Sequence, residues 1–312
     1  MPASTFLHRS LALTAAALLA TAAAATAPSA FAVPRAAADP APDTALPAPA
    51  APATPQSAEH PEAPGAAYKE AHDTLGPQYL TPDQWRLSAA KQAEAEARAY
   101  ERSWGRAWTG TRPGSTRAGF KLSGGLHQPQ RTSYWCGPAT LVIAQSAHDG
   151  VAGRSQQDAA TLLRTTTSGT AWYGIDINVA APTGYPMADA LNHRLPGAGY
   201  VPKALPYTPT ATDKANFRQH IAFDTDNDYA VAGNAWEVPG GPHLVGHPNV
   251  EIFHWVAIDG YDTDTEAAQV NYLDPVGGVS TSVISWAGTV PRSARISSDT
   301  LTTIMGGRGY VW

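Results

Sequence analysis

The chain has 312 residues, of which 43% are hydrophobic and 15% are charged, and its formal net charge is −5. This is enough apolar material for one or two domains with a substantial core, and the charged share is well below the usual ~25%. The mildly acidic balance gives no indication of a nucleic-acid partner or of an anionic membrane surface, both of which select for basic clusters.

The first segment has the features of an export signal. Residues 1–32 begin with a weakly basic stretch, continue with the apolar run LALTAAALLATAAAATA and end in Ala-Phe-Ala. Such an ending is typical of signal-peptide cleavage, which predicts a mature chain that begins near Val33. A permanent membrane anchor is the alternative, but the run is short and rich in alanine. We therefore expect a secreted protein, extracellular or associated with the cell wall, with no membrane span in the mature chain.

A proline-rich stretch follows the export signal. Residues 33–65 have a proline every few positions and no Phe, Trp or Tyr. This composition cannot bury a core and predicts an extended linker. A cleavable pro-segment would have the same composition, so both interpretations stay open.

An N-terminal helical segment is predicted over 66–118. Thr81 and Gln84 have the spacing of a capping box, and the proline between them suits the first helical position. Gly105 is a typical stop, so the helix is predicted over 82–104. Three roles are open for it: packing on the following domain, inhibition of an enzyme before maturation, or spacing.

The remaining residues, 119–312, mix helical and strand patterns. Apolar periodicity and capping residues predict helices over 138–149, 155–164, 186–195 and 212–223. Runs of β-branched and aromatic residues between turn signals predict strands over 228–236, 251–261, 268–274 and 281–286. Helices come first and antiparallel strands follow, which is the order of an α+β domain.

The only cysteine of the chain, Cys136, precedes the first helix of this domain in the sequence Trp-Cys-Gly-Pro. An exported protein normally pairs its thiols, so the lone thiol is buried and inert, bridged to another chain, or reactive. The start of a helix carries partial positive charge, which favours a thiolate. This position therefore makes Cys136 a candidate nucleophile.

Glutamines upstream of the cysteine are candidates for stabilising an oxyanion. Gln130 lies six residues before Cys136, and its side-chain amide could turn back toward the thiol. Together with the Cys136 backbone N–H it would then form an oxyanion hole for acyl transfer. Gln128 is the competing candidate, and ordinary loop glutamines are the alternative to both.

A thiol nucleophile also needs a base, and the chain has ten histidines. His254 differs from the others because it lies inside the apolar strand EIFHWVAIDGY, where an imidazole needs a partner. Asp274 ends the next strand, and hairpin-connected strands are usually neighbours, so its carboxylate could orient His254. The alternatives are a satisfied core histidine and an aspartate with a purely local role in a turn.

Two features resemble metal sites without completing one. His243 and His247 are four residues apart, a zinc spacing on a helix, but glycine and proline surround them and no third ligand is evident. The acidic run DTDND, 224–228, lacks the glycine of a calcium loop and is predicted to be a solvated turn. We therefore predict neither a metal nor another cofactor.

Four stretches of the sequence resemble a known family. QRTSYWCGPATLVIAQ, SQQDAATLLRTT, FHWVAIDGYD and VNYLDP are similar to papain-clan cysteine peptidases of family thirty-nine, the bacteriocin-leader-processing type. The resemblance covers about residues 120–290 and is greatest to the secreted, stand-alone branch. It implies a papain-like α+β fold over 119–312, with Cys136 as nucleophile, His254 as base, Asp274 as orienting carboxylate and Gln130 as oxyanion donor.

The sequence also departs from the family's best-known members. It has no transporter helices or nucleotide-binding motif, so their double-glycine leader substrate does not transfer to this chain. A long insertion, WEVPGGPHLVGHPNVEI, precedes the histidine strand. We expect a secreted cysteine peptidase that acts on a peptide or protein through a thioacyl intermediate. A transglutaminase-type acyl transferase and an inactive papain-like binding domain at the cell surface are the alternatives.

Overall fold

The computed structural model of the protein describes residues 62–75, 80–109 and 119–312. Within them the chain forms the α-helices α1 (Ala66–His72), α2 (Pro82–Thr109), α3 (Cys136–Asp149), α4 (Gln156–Leu162), α5 (Pro186–Arg194), α6 (Ala211–Asp226) and α7 (Ser298–Ile304). The strands are β1 (Phe120–Leu122), β2 (Pro202–Ala204), β3 (Val231–Glu237), β4 (Ile252–Asp262), β5 (Gln269–Leu273), β6 (Ser293–Ser297) and β7 (Gly309–Val311). The predicted export signal, 1–32, and most of the predicted linker lie outside the described residues.

The strands form one antiparallel sheet, in the order β2-β7-β3-β4-β5-β6, and β1 pairs with β4. The longest strand, β4, lies at its centre and pairs over residues 252–258 with β3, which places Ala235 opposite His254. On its other side β4 pairs with β5, where Ala257 lies opposite Leu273. The predicted α+β class is confirmed, and so is the predicted hairpin between the histidine strand and the strand before Asp274.

Helices cover both faces of the sheet. On β4, Trp255 packs into the cluster formed by α3, α4 and α5, and Ala257 packs on Ile143 of α3. The alternate residues Val256 and Ile258 belong to the cluster formed with α6 and α7. Because successive side chains of a strand point to opposite faces, burial of both faces accounts for the nearly continuous apolar sequence of β4.

The predicted helix boundaries hold best where a capping side chain fixes the start. The Thr81 backbone N–H donates to Gln84 Oε1 over 2.7 Å, and the Gln84 N–H donates to Thr81 Oγ1 over 3.3 Å, so the predicted capping box of α2 is confirmed. Ser155 caps α4 by accepting from the Asp158 N–H over 3.1 Å. The predicted stop at Gly105 is wrong, because α2 continues to Thr109. A single helical glycine costs only ~1 kcal/mol and does not by itself end a helix.

Two other predictions are wrong. Residues 281–286 form turns, not a strand, because the Ser280 hydroxyl accepts from the Ser282 N–H, and the Ser280 carbonyl accepts from the Ile284 N–H. Such local hydrogen bonds compete with a strand ladder, and β6 pairs with β5 instead. The prediction of a solvated turn over the acidic run 224–228 is wrong for Asp224, which lies fully buried in the last turn of α6, and holds only for the exposed turn at Asn227 and Asp228.

The buried carboxylate of Asp224 pairs with a lysine of α2. Lys91 Nζ lies 3.1 Å from Asp224 Oδ1, and the two side chains are only 9% and 1% exposed. The same ammonium lies 4.7 Å from the ring centre of Trp312 and 5.4 Å from that of Tyr200, so two aromatic faces also stabilise its charge. The described side chains of α2 thus dock on α6 and the C-terminal strand, which supports packing as the role of this helix.

A substitution of Lys91 tests this docking. We expect Lys91→Met to lower the free energy of unfolding by about 3–5 kcal/mol, because it leaves Asp224 buried without its cation. The matched control is Arg98→Met on the same helix, whose pair with Glu101 is exposed and is expected to contribute less than about 1 kcal/mol. Urea unfolding measures both variants, and equal stabilities would contradict the docking role.

The shorter helix α1 is anchored through a lysine as well. Lys69 Nζ donates to the backbone carbonyls of Thr303, Ile304 and Gly306 at 2.9–3.1 Å, which caps the C-terminal end of α7. Three acceptors use all three N–H bonds of an ammonium, and the end of a helix favours positive charge. The 66–72 part of the predicted N-terminal segment is therefore packed onto the domain.

Among the described residues, no helix is both long and apolar enough to cross a membrane.

Candidate active site

The chain's single thiol lies where α3 begins. Cys136 is the first residue of this 14-residue helix, and the residue is only 8% exposed. The backbone N–H donors of Gly137 and Trp255 lie near its sulfur and help to lower the pKa of the thiol. One of these donors belongs to α3 and the other to β4, so packing of the helix against the strand builds the surroundings of the thiol.

Close contact at Gly137 brings this end of α3 against a loop. A Cβ atom at Gly137 would lie 2.2 Å from Thr170 Oγ1, a distance that no side chain can occupy. The Thr170 carbonyl accepts from Trp255 Nε1 over 3.1 Å. The loop therefore joins the start of the helix to β4, and the glycine after the cysteine permits that approach.

His254 lies between the thiol and a carboxylate. Its Nε2 donates to Asp274 Oδ1 over 2.9 Å, and its imidazole lies near enough to the Cys136 thiol for each group to shift the pKa of the other. Since Nε2 faces Asp274, Nδ1 is the nitrogen left to face the sulfur. The proximity expected of Cys136, His254 and Asp274 is therefore observed, although these residues lie 118 and 20 positions apart.

Asp274 directly follows β5 and accepts three hydrogen bonds. Oδ1 accepts from His254 Nε2 and from the Val276 N–H over 2.9 Å, and Oδ2 accepts from His247 Nε2 over 3.0 Å. The bond to Val276 is a local turn, and the bond to His254 crosses the sheet. Both alternatives raised by the sequence, a local turn residue and a partner for His254, therefore apply together.

Electrostatics favour the charged forms of the thiol and the imidazole. Burial alone would raise the pKa of the Cys136 thiol, but the hydrogen bond and charge of His254, with the two backbone donors, hold that pKa below its ordinary value. Burial would lower the pKa of His254, but Asp274 and the Cys136 thiol raise it well above its ordinary value. A depressed thiol pKa beside a raised imidazole pKa is the condition for a thiolate–imidazolium pair.

The carboxylate stays ionised in the same cluster. Burial would raise the pKa of Asp274, but the charges and hydrogen bonds of His254 and His247 bring it far below its ordinary value. Asp274 is therefore an anion over the whole range in which imidazoles and thiols titrate. It fixes the tautomer of His254, because a carboxylate accepts only from a protonated Nε2.

The loop that precedes the cysteine is fixed to the Asp274 turn. The Gln130 N–H donates to the Pro275 carbonyl over 2.8 Å. His127 is the histidine nearest to Cys136 in sequence, and its ring is hydrogen-bonded to the backbone carbonyl of Asp274 over 2.8 Å. Gln156, fully buried at the start of α4, donates to the Pro129 carbonyl and accepts from the Arg131 N–H. Gln130 is thereby held on a rigid backbone.

The two candidate oxyanion glutamines have different surroundings. Gln128 Nε2 donates to the Arg154 carbonyl over 2.9 Å. The Gln130 side chain is buried, its Nε2 donates to the Thr132 carbonyl over 2.7 Å, and its Oε1 has no hydrogen-bond partner among the described residues. The bond to Thr132 identifies the nitrogen end of the amide, because a carbonyl only accepts. It uses one of two N–H bonds, and the second is the donor that the oxyanion role requires.

The insertion before β4 contributes a second histidine, which the sequence did not identify as part of the site. His247 donates through Nε2 to Asp274 and through Nδ1 to Glu237 Oε2 over 2.7 Å. His243, its partner in the metal spacing, contacts the backbone carbonyls of Gly241 and Val250 instead. The two histidines that the spacing grouped together therefore have separate environments.

Donor atoms of His247, His254 and Asp274 lie within 4.8 Å of one another, close enough to suit a metal ion. Each of these atoms, however, is used in a hydrogen bond to another member of the group. In this structure the cluster is therefore a hydrogen-bonded chain of acids and bases.

Comparison with known proteins identifies no relative: no protein-family model matches the chain, and no curated protein or solved structure does either. The resemblance to family thirty-nine, the papain-like fold and the roles of the four residues therefore stay predictions.

A pair of matched substitutions tests the oxyanion role. We expect Gln130→Ala to lower kcat/KM by about 10²–10³-fold, the usual effect of removing one oxyanion donor. Gln128→Ala removes a side chain of the same type from the same loop and is expected to leave kcat/KM close to wild type. Steady-state kinetics on a cleaved peptide measures both, with thermal unfolding to verify folding. A decrease of the same size in both variants would contradict the assignment.

Proposed function

We propose that the protein is a secreted cysteine peptidase that hydrolyses peptide bonds in a peptide or protein substrate. The observation that carries the proposal is the order Cys136–His254–Asp274, in which the imidazole bonds to the carboxylate and lies beside the thiol, with the sulfur at the start of a helix. The export signal read from the sequence supports the location. The antiparallel sheet, with α3 on one face and the histidine on its central strand, is compatible with a papain-like fold.

The first half of the reaction forms a thioester. His254 takes the Cys136 proton, and the thiolate attacks the carbonyl carbon of the substrate, which forms a C–S bond and places a negative charge on the oxygen. The Cys136 backbone N–H and Gln130 would donate to this oxygen. The oxyanion then reforms its carbonyl, the C–N bond breaks, and His254 gives its proton to the leaving amine.

The second half returns the enzyme to its starting state. His254 takes a proton from a water molecule, whose oxygen attacks the thioester carbonyl carbon. Collapse of the second oxyanion breaks the C–S bond, which releases a carboxylic acid, and the proton on His254 returns to the sulfur. Asp274 stays ionised throughout and stabilises the imidazolium formed in each half.

The experiment that tests the reaction class supplies two competing acceptors. The protein is incubated with a peptide library, with and without a primary amine, and products are identified by mass spectrometry. We expect new carboxyl termini in both mixtures. Amide conjugates in place of free acids would identify an acyl transferase of the transglutaminase type. If no product forms and a peptide aldehyde fails to bind Cys136, the proposal of acyl chemistry is wrong and a binding domain is the better description.

A further inference from the structure

The carboxylate of Asp274 lies between two histidines, and the proposed function uses only one of them. His247 comes from the insertion between β3 and β4, and its side chain is 0% exposed. Its Nε2 lies 3.0 Å from Asp274 Oδ2, and its Nδ1 lies 2.7 Å from Glu237 Oε2. Glu237 is the last residue of β3 and also accepts from the Leu244 N–H, which holds the insertion against the strand. The geometry therefore extends the hydrogen-bonded chain beyond Asp274 by two buried groups.

The hydrogen bonds define the protonation state of His247. A carboxylate only accepts, so each ring nitrogen that bonds to an ionised carboxylate must carry a hydrogen. His247 bonds to one carboxylate through each nitrogen and is therefore an imidazolium. Burial and the charge of His254 oppose this state, but the hydrogen bonds that His247 donates to Asp274 and Glu237 outweigh them and raise its pKa above the ordinary value.

The charged groups around His247 come from several elements. Glu237 contacts it from β3 and Asp274 from the end of β5, and the His254 ring centre on β4 lies 5.3 Å away. Trp286 covers its ring at 4.7 Å with an uncharged face. Further charged or titratable groups that act on these neighbours are Cys136, His127, Tyr272 and Lys69. Of the direct contacts, two are anions and one is the imidazole of His254.

We propose that His247 is a positioning residue of this site: a protonated second histidine that holds the Asp274 carboxylate in place and sets the pH range in which Cys136 and His254 form their ion pair. The inference rests on the proposed function and adds a regulation of the same site. A fixed cation near His254 opposes protonation of that imidazole, and it favours the anionic form of the Cys136 sulfur. Both effects move the active range toward lower pH.

The sign of the effect can be derived for each limb of the pH profile. The acidic limb reports formation of the thiolate, and loss of a neighbouring cation makes this anion less favourable, so the limb moves to higher pH. The basic limb reports loss of the proton from His254, and loss of the cation stabilises that proton, so this limb also moves to higher pH. A charge at this distance in a protein is expected to move each limb by about one pH unit.

Three variants of histidines in the insertion separate charge from structure. His247→Gln removes the cation and is expected to move both limbs of the kcat/KM profile upward by about one pH unit. His247→Lys keeps a positive charge and is expected to keep the limbs near their wild-type positions. His243→Gln, in the same loop but bonded only to backbone carbonyls, is the matched control and is expected to leave the profile unchanged. Limbs of His247→Gln at wild-type positions, even with a lower rate, would overturn the proposal.

Two readouts do not depend on peptide hydrolysis. The rate of Cys136 alkylation against pH is expected to shift upward in His247→Gln, because it reports the thiolate directly. NMR of Cys136→Ala is expected to show that the pKa of His247 lies above the ordinary imidazole value of ~6.5. Deprotonation of His247 at or below that pKa would overturn the proposal even if His247→Gln fails to fold. If the wild type cleaves no peptide, the peptidase proposal fails, but these two measurements still decide the role of His247. Failure of the peptidase proposal can therefore be distinguished from failure of the His247 proposal.

Discussion

Replacement of Cys136 by alanine or serine is expected to lower kcat/KM by roughly 10⁴-fold or more, because the attacking atom of the reaction is lost. Serine has nearly the size of cysteine, so it separates chemistry from packing. If the residue is structural, Cys136→Ser keeps the behaviour of the wild type. If it is the nucleophile, the serine variant is inactive, because His254 is placed to serve an acidic thiol and not a weakly acidic hydroxyl.

Alkylation gives a second measure of the same prediction. The chain has a single cysteine, so any label on the protein reports Cys136 alone. An ordinary thiol reacts as its pKa of ~8.5 is approached, but the lowered pKa of Cys136 predicts labelling at lower pH. His254→Gln is expected to abolish labelling in that lower range, because burial then raises the pKa of the thiol without the imidazolium to oppose it. A wild type that resists labelling and is no more active than Cys136→Ala would contradict the nucleophile assignment.

Asp274→Asn is the second substitution with a large expected effect, a fall in kcat of about 10⁴-fold. An asparagine oxygen can accept from one imidazole, but its NH₂ group cannot accept from the other. One of His254 and His247 then loses its partner, and the tautomer that presents a free nitrogen to Cys136 is no longer enforced. Steady-state kinetics with a peptide substrate measures this loss.

A second buried aspartate provides the control for this substitution. Asp259 on β4 is bonded to Asn271 Nδ2 over 2.7 Å and has no hydrogen bond to Cys136, His254 or Asp274 among the described residues. Asp259→Asn is expected to leave kcat near the wild-type value. An equal loss of activity in the two variants would show that any buried aspartate of the sheet matters for folding, and would contradict the specific role of Asp274.

Asp274→Asn is also expected to change how the free energy of unfolding depends on pH. The pKa of Asp274 is lower in the folded protein than in the unfolded chain, so its ionisation stabilises the fold above the unfolded value of ~3.9. This stabilisation is lost as the pH falls through the folded pKa. Asp274→Asn is therefore expected to have its largest deficit in free energy of unfolding above pH ~4, with the deficit shrinking in acid, as urea unfolding at several pH values would measure.

Local sequence predicted the elements whose signals are themselves local. The capping pairs at Thr81 and Ser155 fix helix starts through hydrogen bonds within three residues, so they can be read directly from the chain. β6 could not be read in this way. Its sequence SARIS is mostly polar and gains its strand conformation from pairing with β5, a contact that depends on the rest of the sheet.

The residues of the candidate site also differ in whether a local sequence signal identifies them. Cys136 was identifiable because a lone thiol before Gly-Pro is unusual, and His254 because an imidazole in an apolar strand needs a partner. Glu237 and His247 carried weaker signals: a glutamate at the end of an apolar strand, and a histidine whose spacing from His243 indicated a metal. Their real relation crosses ten residues of loop, and it depends on how the insertion folds over the end of β5.

The sequence by itself determined the α+β order of elements, the hairpin that brings the histidine strand beside Asp274, and the choice of Cys136 and His254. These follow from periodicity, capping and the rarity of certain residues in apolar surroundings. Only the tertiary structure decided that Asp274 serves two histidines, that Lys91 pairs with a buried carboxylate, and that the insertion completes the hydrogen-bonded chain. Such contacts join residues distant in the chain, and their energy comes from excluding water around paired charges, which no local pattern encodes.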